Sequence, residues 1–322
     1  MTTWSNPIKR TFLYVFISII LCLSSKGQGD YTCEAGMVSD NDAYLMLALD
    51  QYYTNGIMLY FRYVPKEYNE KLYNKIIEFR IGQKIYNPFQ GYVPWVERID
   101  KPFAGYLFME TGISRFYRNE SMFKTNLQVG VLGPSSCAEE VQFFYHNFFN
   151  LYGIDGWQYQ VRDAVGLNLD LTYLKSLKYF FNRQMDLSFY SELRAGTIND
   201  DLSAGLLARA GIYRLQPIYH STCTGSSISR NKDISSEKEL FLYFSPKLSY
   251  IFYDATIQGG MFSDDSPITF DVRPLLLQLE LGISGSYKNL NAGYSVIFHT
   301  KDAKNNLVKC HIYASIYLGY RF

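Results

Sequence analysis

The sequence lacks the features that define several common classes of protein. Beyond the first 27 residues it has no apolar stretch long enough for a transmembrane helix. Lysine and arginine total 31 against 30 aspartates and glutamates, and we expect no nucleic-acid partner because no basic excess would attract one. It also has no Gly-x-Ser-x-Gly segment, the turn that commonly presents a serine nucleophile.

Cysteine is scarce as well. Four of the five cysteines lie beyond the first segment, and none of them forms a Cys-x-x-Cys pair or a zinc-binding pattern. Disulfides are allowed in an oxidising compartment, but the spacing fixes no pairing. The four are Cys33, Cys137, Cys223 and Cys310.

The beginning of the chain has the pattern of a secretory signal peptide. Lys9 and Arg10 precede an apolar run over 11–23, and small and polar residues follow it. This run is too short to span a bilayer comfortably. We expect residues 1–27 to be removed and residues 28–322 to form one domain.

Aromatic residues are abundant, with 29 tyrosines and 23 phenylalanines. Such residues form the girdles of outer-membrane barrels at both membrane interfaces. Apolar and polar residues also alternate with a period of two over 77–82, 185–194, 275–284 and 311–322. A β-sandwich would alternate in the same way. The signal peptide, the aromatic excess and the terminal Phe322, which resembles an assembly signal of outer-membrane barrels, favour the barrel.

The sequence therefore predicts an all-β fold, a transmembrane antiparallel β-barrel of about 12 strands in the bacterial outer membrane. The expected strands are 36–50, 54–64, 75–86, 104–117, 123–133, 164–179, 185–197, 204–216, 240–256, 270–284, 288–300 and 308–322.

An even number of strands puts both termini in the periplasm, and the odd-numbered connections then lie outside the cell. These are the link around 51–53, the loop 87–103 and the long segment 134–163. Residues 138–149 are expected to form a short helix over the barrel mouth. Segment 217–239 falls on the periplasmic side, where turns are usually short, so either the count misses a hairpin or this barrel has a long inner loop.

Four segments interrupt the alternating background. They are Asn41-Asp42, the turn at 50–56, the pair 82–88 and 100–106, and the stretch 130–160. Each has an ordinary explanation on its own, since Thr-Asn-Gly makes a good turn and Gly-Pro ends a strand. Their order and spacing are more specific than any one of them.

Together these segments resemble the lipid A 3'-O-deacylase family known as LpxR. The matching motifs cover roughly residues 35 to 165, and the remainder resembles the family only in its strand pattern. The matched positions are Asn41-Asp42, Tyr53-Thr54-x-Gly56, Ile85-Tyr86-x-Pro88, Asp100-Lys101, Gly130 to Pro134, Glu140, Gln142, His146, Trp157 and Gln160.

The resemblance implies a calcium-dependent esterase that acts on lipid A in the outer leaflet. It implies an active site made of Asn41, Asp42, Thr54 and His146. His146 would be the general base that activates water, since imidazole titrates near neutral pH. Asp42 would offer a carboxylate to Ca²⁺, and Asn41 would ligate the ion or donate to the oxyanion. Thr54 would position the water or the substrate.

Substrate contacts are less well defined by the resemblance. Lys101 stands where the family has arginine, which keeps the charge and loses bidentate phosphate recognition. We expect Lys84, Arg98 and Lys101 to contact the phosphates of lipid A. The expected partners are lipopolysaccharide and the outer membrane, with the protein a monomer.

Two alternatives from other classes stay open. One is a phospholipase-type barrel, which usually carries a serine nucleophile in its wall. The other is a non-catalytic structural or pore-forming barrel. Among the remaining histidines, His220, His299 and His311 are poorer candidates, because they fall in the presumed periplasmic stretch or near the ends of the last strands.

Overall fold

The computed structural model describes residues 31–45, 51–66, 71–230 and 238–322. The expected signal peptide, residues 1–27, lies outside these residues. Twelve antiparallel strands close into a barrel in which each strand pairs with its sequence neighbours and the first pairs with the last. The prediction of an all-β barrel of 12 strands is confirmed.

The barrel is an up-and-down arrangement with short elements between the strands. Its strands are β1 (Cys33–Asn41), β2 (Tyr53–Tyr63), β3 (Asn74–Tyr86), β4 (Ala104–Tyr117), β5 (Ser121–Leu132), β6 (Ala164–Phe180), β7 (Met185–Gly196), β8 (Asn199–Gly211), β9 (Lys238–Asp254), β10 (Leu275–Tyr287), β11 (Leu290–Thr300) and β12 (Cys310–Arg321). Two helices, α1 (Ala138–Phe149) and α2 (Ala255–Gln258), lie in the β5–β6 and β9–β10 connections. None of the helices in the described part of the chain combines the length and apolar character needed to cross a membrane.

The alternation of side chains determines which face of each strand points outward. In β2, Ile57, Leu59 and Phe61 are exposed, whereas Met58 and Tyr60 are buried inside. Leu59 begins a row that runs across five neighbouring strands, and every member of the row is apolar and exposed. By register the row is Leu59, Ile81, Met109, Val129 and Leu167. The outer surface therefore has the apolar band of a membrane barrel.

Three predicted strands have the wrong bounds. The first was expected over 36–50 but ends at Asn41, because the Asn41 side chain accepts a hydrogen bond from the Ala43 amide at 2.7 Å and turns the chain. The eighth was expected over 204–216 but begins at Asn199. Its polar start does not form a loop, since Asp201 points inward and pairs with Arg194.

The tenth strand was expected over 270–284 and is displaced toward the C-terminus, to Leu275–Tyr287. Residues before it form only an isolated bridge between Val272 and Ala303. Pro274 directly precedes the strand, and a proline has no amide to contribute to a ladder. The other strands match their expected positions to within a few residues at each end.

The end of the barrel that carries both termini is closed from within. Twelve strands put the termini on one side, which in outer-membrane barrels is the periplasm. The connection from β8 to β9 folds back into this opening. Its Ile218 and Ile228 are fully buried against Phe116 and Leu207 of the barrel wall. The strand count was therefore right, and the described part of segment 217–239 consists of residues 217–230, which form a long inner loop, and the first residues of β9. We call residues 217–230 the inner plug.

Polar contacts hold the inner plug in place. Arg209 forms a buried ion pair with Asp186 and donates to Ser221 Oγ at 2.7 Å. The Glu239 carboxylate accepts hydrogen bonds from Ser221 Oγ at 2.7 Å and from the Thr222 amide at 2.9 Å. The loop is thus anchored to β7, β8 and β9 by charges that are satisfied inside the barrel.

A polar cavity of about 520 Å³ lies in the lumen above the inner plug. Its charges largely neutralise one another. Glu78 is 2.8 Å from Arg62, 2.9 Å from Arg80 and 3.3 Å from Lys124. Such a lumen is typical of small outer-membrane barrels, whose interiors are filled by side chains.

The four cysteines beyond the signal segment are free thiols in the described chain. Cys33 and Cys310 start β1 and β12, at opposite ends of the barrel. Cys137 precedes α1, and Cys223 belongs to the inner plug.

Candidate active site

Three of the four predicted active-site residues lie at one rim, at the end of β1, in the turn that follows it and at the start of β2. Asn41 ends β1 and is paired in register with Asn55 of β2, which is paired with Ile85 of β3. The register shifts between Tyr53 and Asn55, so Thr54 is the extra residue of a bulge beside this row. Bulges re-aim side chains at strand ends. Asn41 and Thr54 are both buried.

Asp42 follows directly and starts a short 3₁₀ turn, Asp42–Leu45. Its Oδ2 accepts a hydrogen bond from the Gln51 amide at 3.0 Å, which ties the two ends of the β1–β2 connection together. Asp42 is buried at 3% exposure. The structure thus brings Asn41, Asp42 and Thr54 to the same rim, as the strand parity predicted.

Helix α1 packs on the outside of the barrel wall. Successive side chains of a strand face opposite sides, and Lys84 of β3 and Tyr106 of β4 face the lumen. Their neighbours Gln83 and Gly105 therefore face outward. Gln83 Nε2 donates to the backbone carbonyl of Ser136 at 2.6 Å. A Cβ on Gly105 would collide with Ala138.

The expectation that this helix covers the barrel mouth is therefore wrong. The absence of a side chain at Gly105 leaves room for the start of α1 against β4. Ile85, Phe103, Ala138, Ile154 and Trp157 form a compact apolar cluster that fastens the loop to the outer wall.

One face of α1 is turned toward the wall. Ala138, Gln142 and His146 are its buried residues, and their spacing of four places them along one side of the helix. His146 Nδ1 lies 2.9 Å from the backbone carbonyl oxygen of Tyr152, and the Tyr152 ring packs edge-on at 5.1 Å. A carbonyl oxygen only accepts, so Nδ1 carries the proton. In the neutral ring Nε2 is then the basic nitrogen.

Gln142 stands one helical turn before His146 and is fixed by Trp157. The indole Nε1 donates to Gln142 Oε1 at 2.9 Å, and an indole only donates, so the orientation of the amide is determined. Within the described part of the chain, Gln142 Nε2 is buried and has no hydrogen-bond partner. The sequence motif singled out Gln142 and Trp157 without assigning them this contact.

The three cations expected to bind phosphate are not brought together. Lys101 is buried and its Nζ lies 2.6 Å from Asp302 Oδ2. Lys84 faces the lumen, with its Nζ 5.5 Å from the centre of the Phe108 ring. Arg98 is exposed in the β3–β4 loop and stacks over Trp95 at 5.1 Å.

Asp100, part of the same motif as Lys101, ties three outer connections together. Its carboxylate accepts hydrogen bonds from Tyr52 Oη at 2.8 Å, from the Phe89 amide at 2.8 Å and from the Leu307 amide at 2.9 Å. With the Lys101–Asp302 pair, these contacts hold the outer connections together. Part of the motif thus has a structural explanation.

The donor atoms at the rim suit a hard cation only in part. Among the described residues, no group of three or more histidine, cysteine, aspartate or glutamate side chains is placed to hold a metal ion. The three predicted residues offer the carboxylate of Asp42, the amide oxygen of Asn41, whose Oδ1 already accepts from Ala43, and the hydroxyl of Thr54. Oxygen donors fit calcium, but this set carries a single charge.

A closed barrel of twelve strands, with an apolar outer band, a polar lumen and a buried polar cluster at one rim, defines an outer-membrane β-barrel. The chain belongs to the family described as Outer membrane protein LpxR, whose model matches residues 12–322. The family expected from the motifs and the location in the outer membrane are confirmed.

One of the similar solved structures, that of LpxR from Salmonella typhimurium, supports this fold. LpxR from Salmonella typhimurium is 15% identical with a TM-score of 0.71, covering 90% of this chain and 100% of that one. The β domain of the Bordetella autotransporter BrkA is 10% identical with a TM-score of 0.47, covering 91% and 99%. A sequence comparison with curated proteins gives no match.

Proposed function

We propose that this protein is a lipid A deacylase that hydrolyses the 3'-linked acyloxyacyl ester in the outer leaflet, with water as the nucleophile. The observation that carries the proposal is the placement of His146. It is buried on the wall-facing side of α1, and α1 lies outside the barrel. A substrate that resides in the membrane meets this side of the wall without entering the lumen.

His146 supplies the base. Its Nε2 removes a proton from a water molecule while the water oxygen attacks the ester carbonyl. The carbonyl of Tyr152 accepts from Nδ1 and so stabilises the imidazolium that forms. The same Nε2 then returns the proton to the departing sugar oxygen, which gives a free fatty acid and a sugar hydroxyl.

Amide donors stabilise the negative charge on the carbonyl oxygen. Gln142 Nε2 is buried, and the Trp157 contact fixes its direction. The amide of Asn41 is fixed in a similar way. Its Oδ1 accepts from the Ala43 amide, so its Nδ2 is the end that can donate to the substrate. Donors held in place before the reaction cost no reorganisation during it. Thr54 positions the water or the ester beside them.

Calcium is the proposed cofactor, with the Asp42 carboxylate and the second lone pair of Asn41 Oδ1 as its side-chain ligands. When bound, the ion would polarise the ester carbonyl. Because Asp42 is the single carboxylate among the proposed ligands, we expect weak binding, with a Kd on the order of 10⁻⁴–10⁻³ M as in extracellular calcium sites. Calorimetric titration of Asp42→Asn, which should lose binding, tests the ligand assignment independently of activity.

The phosphates of lipid A require a cation at the rim. Of Lys84, Arg98 and Lys101, Arg98 is exposed and has a planar guanidinium suited to phosphate. The charge of Lys101 is balanced by Asp302, and Lys84 faces the lumen. We therefore assign the main phosphate contact to Arg98.

The competing functions have distinct signatures. A phospholipase would release fatty acid from glycerophospholipids, and a pore would conduct ions. The inner plug and the contacts of Asp100 disfavour the pore, since the plug packs inside one end of the barrel and Asp100 joins the loops at the other end.

Mass spectrometry of lipid A and phospholipids from cells with and without the protein separates these outcomes. We expect loss of one acyloxyacyl group from lipid A with unchanged phospholipids. Unchanged lipid A, with calcium present and the barrel folded, would exclude the proposal. Planar-bilayer recordings on the same preparation should show no steady conductance.

A further inference from the structure

Helix α1 presents an apolar stripe on the side away from the wall. Val141, Phe144 and Phe148 follow a spacing of three and four residues, which aligns them on one helix face. They are 38%, 71% and 47% exposed. Their face is roughly opposite to that of Gln142 and His146. We call these three residues the outer stripe.

A helix on the surface of a water-soluble protein has polar residues at such positions. Here the sequence from Val141 to Ile154 contains no lysine, arginine, aspartate or glutamate. The end of the helix continues the same character, because Phe149 and Leu151 are also exposed. In water this patch would carry a substantial cost, so its surroundings need an explanation.

The apolar band of the barrel reaches the base of the helix. Gln83, which donates to the Ser136 carbonyl, is two residues from Ile81 along β3. Two residues of a strand span about 7 Å. Ile81 and its register partner Met109 belong to the exposed apolar row that circles this part of the wall. The outer stripe therefore extends the membrane-facing surface of the barrel toward its extracellular end.

We propose that the outer stripe is a membrane-contact surface that lies among the acyl chains of the outer leaflet. Helix α1 then lies flat at the membrane interface, with His146 facing the wall and Phe144 facing lipid. Apolar residues on one side of an interfacial helix are seated at the boundary of headgroups and acyl chains in this way. The assignment does not depend on which reaction the site performs.

The first experiment uses fluorescence from a tryptophan added to the stripe. Phe144→Trp and the matched control Leu307→Trp, which lies in the β11–β12 loop and is 69% exposed, are reconstituted in phospholipid vesicles. The signal of each added tryptophan is taken by difference from the unmodified protein.

The expected result is that lipids brominated on the acyl chain quench Phe144→Trp strongly, whereas aqueous iodide quenches it weakly. Leu307→Trp should show the reverse order. The proposal is overturned if iodide quenches Phe144→Trp as strongly as it quenches Leu307→Trp.

A second measurement does not depend on an added tryptophan. The double variant Phe144→Asp with Phe148→Asp places two charges on the stripe, and Leu307→Asp is its control. In vesicles we expect amide hydrogen exchange in α1 to become at least several-fold faster in the double variant and to stay unchanged in the control. Unchanged exchange in the double variant would also overturn the proposal.

Discussion

His146 Nδ1 lies 2.9 Å from the backbone carbonyl oxygen of Tyr152. The last turn of α1 and the chain that follows it therefore determine that Nδ1 carries the proton and that Nε2 is the basic nitrogen of the neutral imidazole. Tyr152 sits six residues after His146 and holds Nδ1 through its backbone carbonyl, while its ring packs edge-on against the imidazole. Substitution of the Tyr152 side chain should leave the tautomer unchanged.

Gln142 should matter for rate more than for folding. Gln142→Ala removes a buried donor from the site, and loss of one oxyanion donor typically lowers kcat by about 10²–10³-fold. Trp157→Phe should also lower kcat, since it frees the amide to rotate. Steady-state rates on purified lipid A measure both effects. The exposed neighbour Gln158→Ala is the control, and a Gln142→Ala variant with wild-type kcat would remove Gln142 from the mechanism.

We expect a side chain at position 105 to abolish activity. A Cβ at this position collides with Ala138 and Ser136, so Gly105→Val should push α1 off the wall and abolish hydrolysis. The barrel itself should remain folded, because its ladder is independent of the helix.

Heat-modifiable migration on gels reports the folded barrel, and a lipid A assay reports activity. Gly153→Ala is the control, since nothing lies within 4 Å of an added Cβ there. Full activity of Gly105→Val would show that α1 need not rest on β4.

The ion pair of Arg209 and Asp186 should hold the inner plug. Arg209→Met leaves Asp186 and Glu239 buried without their cation, a change that typically costs about 3–5 kcal/mol. We expect faster proteolysis within the inner plug and a lower unfolding midpoint.

The double variant Arg209→Met with Asp186→Leu removes one of the two buried carboxylates that Arg209→Met leaves without a cation. It should recover part of the loss, because an apolar pair of similar size is often tolerated. Equal stability of the single variant and the wild type would mean that the inner plug is held by apolar contacts alone.

The pair of Lys101 and Asp302 should make stability depend on pH in acid. Burial alone would raise the pKa of Asp302, but the neighbouring Lys101 ammonium outweighs burial and holds the pKa well below its usual range. A lowered folded-state pKa gives a contribution that is complete above the unfolded pKa of about 4 and is lost as the pH falls further.

Thermal unfolding of Asp302→Asn and the wild type across pH 3–8 tests this contribution. The variant should be less stable by a constant amount above about pH 5, and the difference should shrink in acid because the wild type loses its ion pair. A difference that grows toward low pH would contradict the assignment.

Strand order and the rim that carries Asn41, Asp42 and Thr54 could be predicted from the sequence, because alternation and parity are local signals. The position of α1 could not. Nothing in 138–149 identifies the strand that the helix contacts, and Gly105, where an added Cβ would collide with Ala138, lies more than 30 residues earlier in the chain.

Long-range pairs explain the other differences. Asp302, the partner of Lys101, lies 201 positions away in the chain. Because the sequence does not show this pairing, Lys101 was expected to bind phosphate. For segment 217–239 the sequence left open a missed hairpin or a long inner loop, because serines and threonines of this kind are also typical of exposed turns. They are buried here against Glu239 and Arg209, which the sequence does not reveal as neighbours.

The most direct test is mass spectrometry of lipid A incubated with purified wild-type protein, His146→Ala and the control Asn147→Ala, an exposed neighbour on the same helix. With calcium present, the wild type and Asn147→Ala should remove one acyloxyacyl group and release the fatty acid. His146→Ala should be slower by about 10²–10⁴-fold, the usual contribution of a general base. Equal release by His146→Ala and the wild type, or no release by any folded protein, would contradict the account.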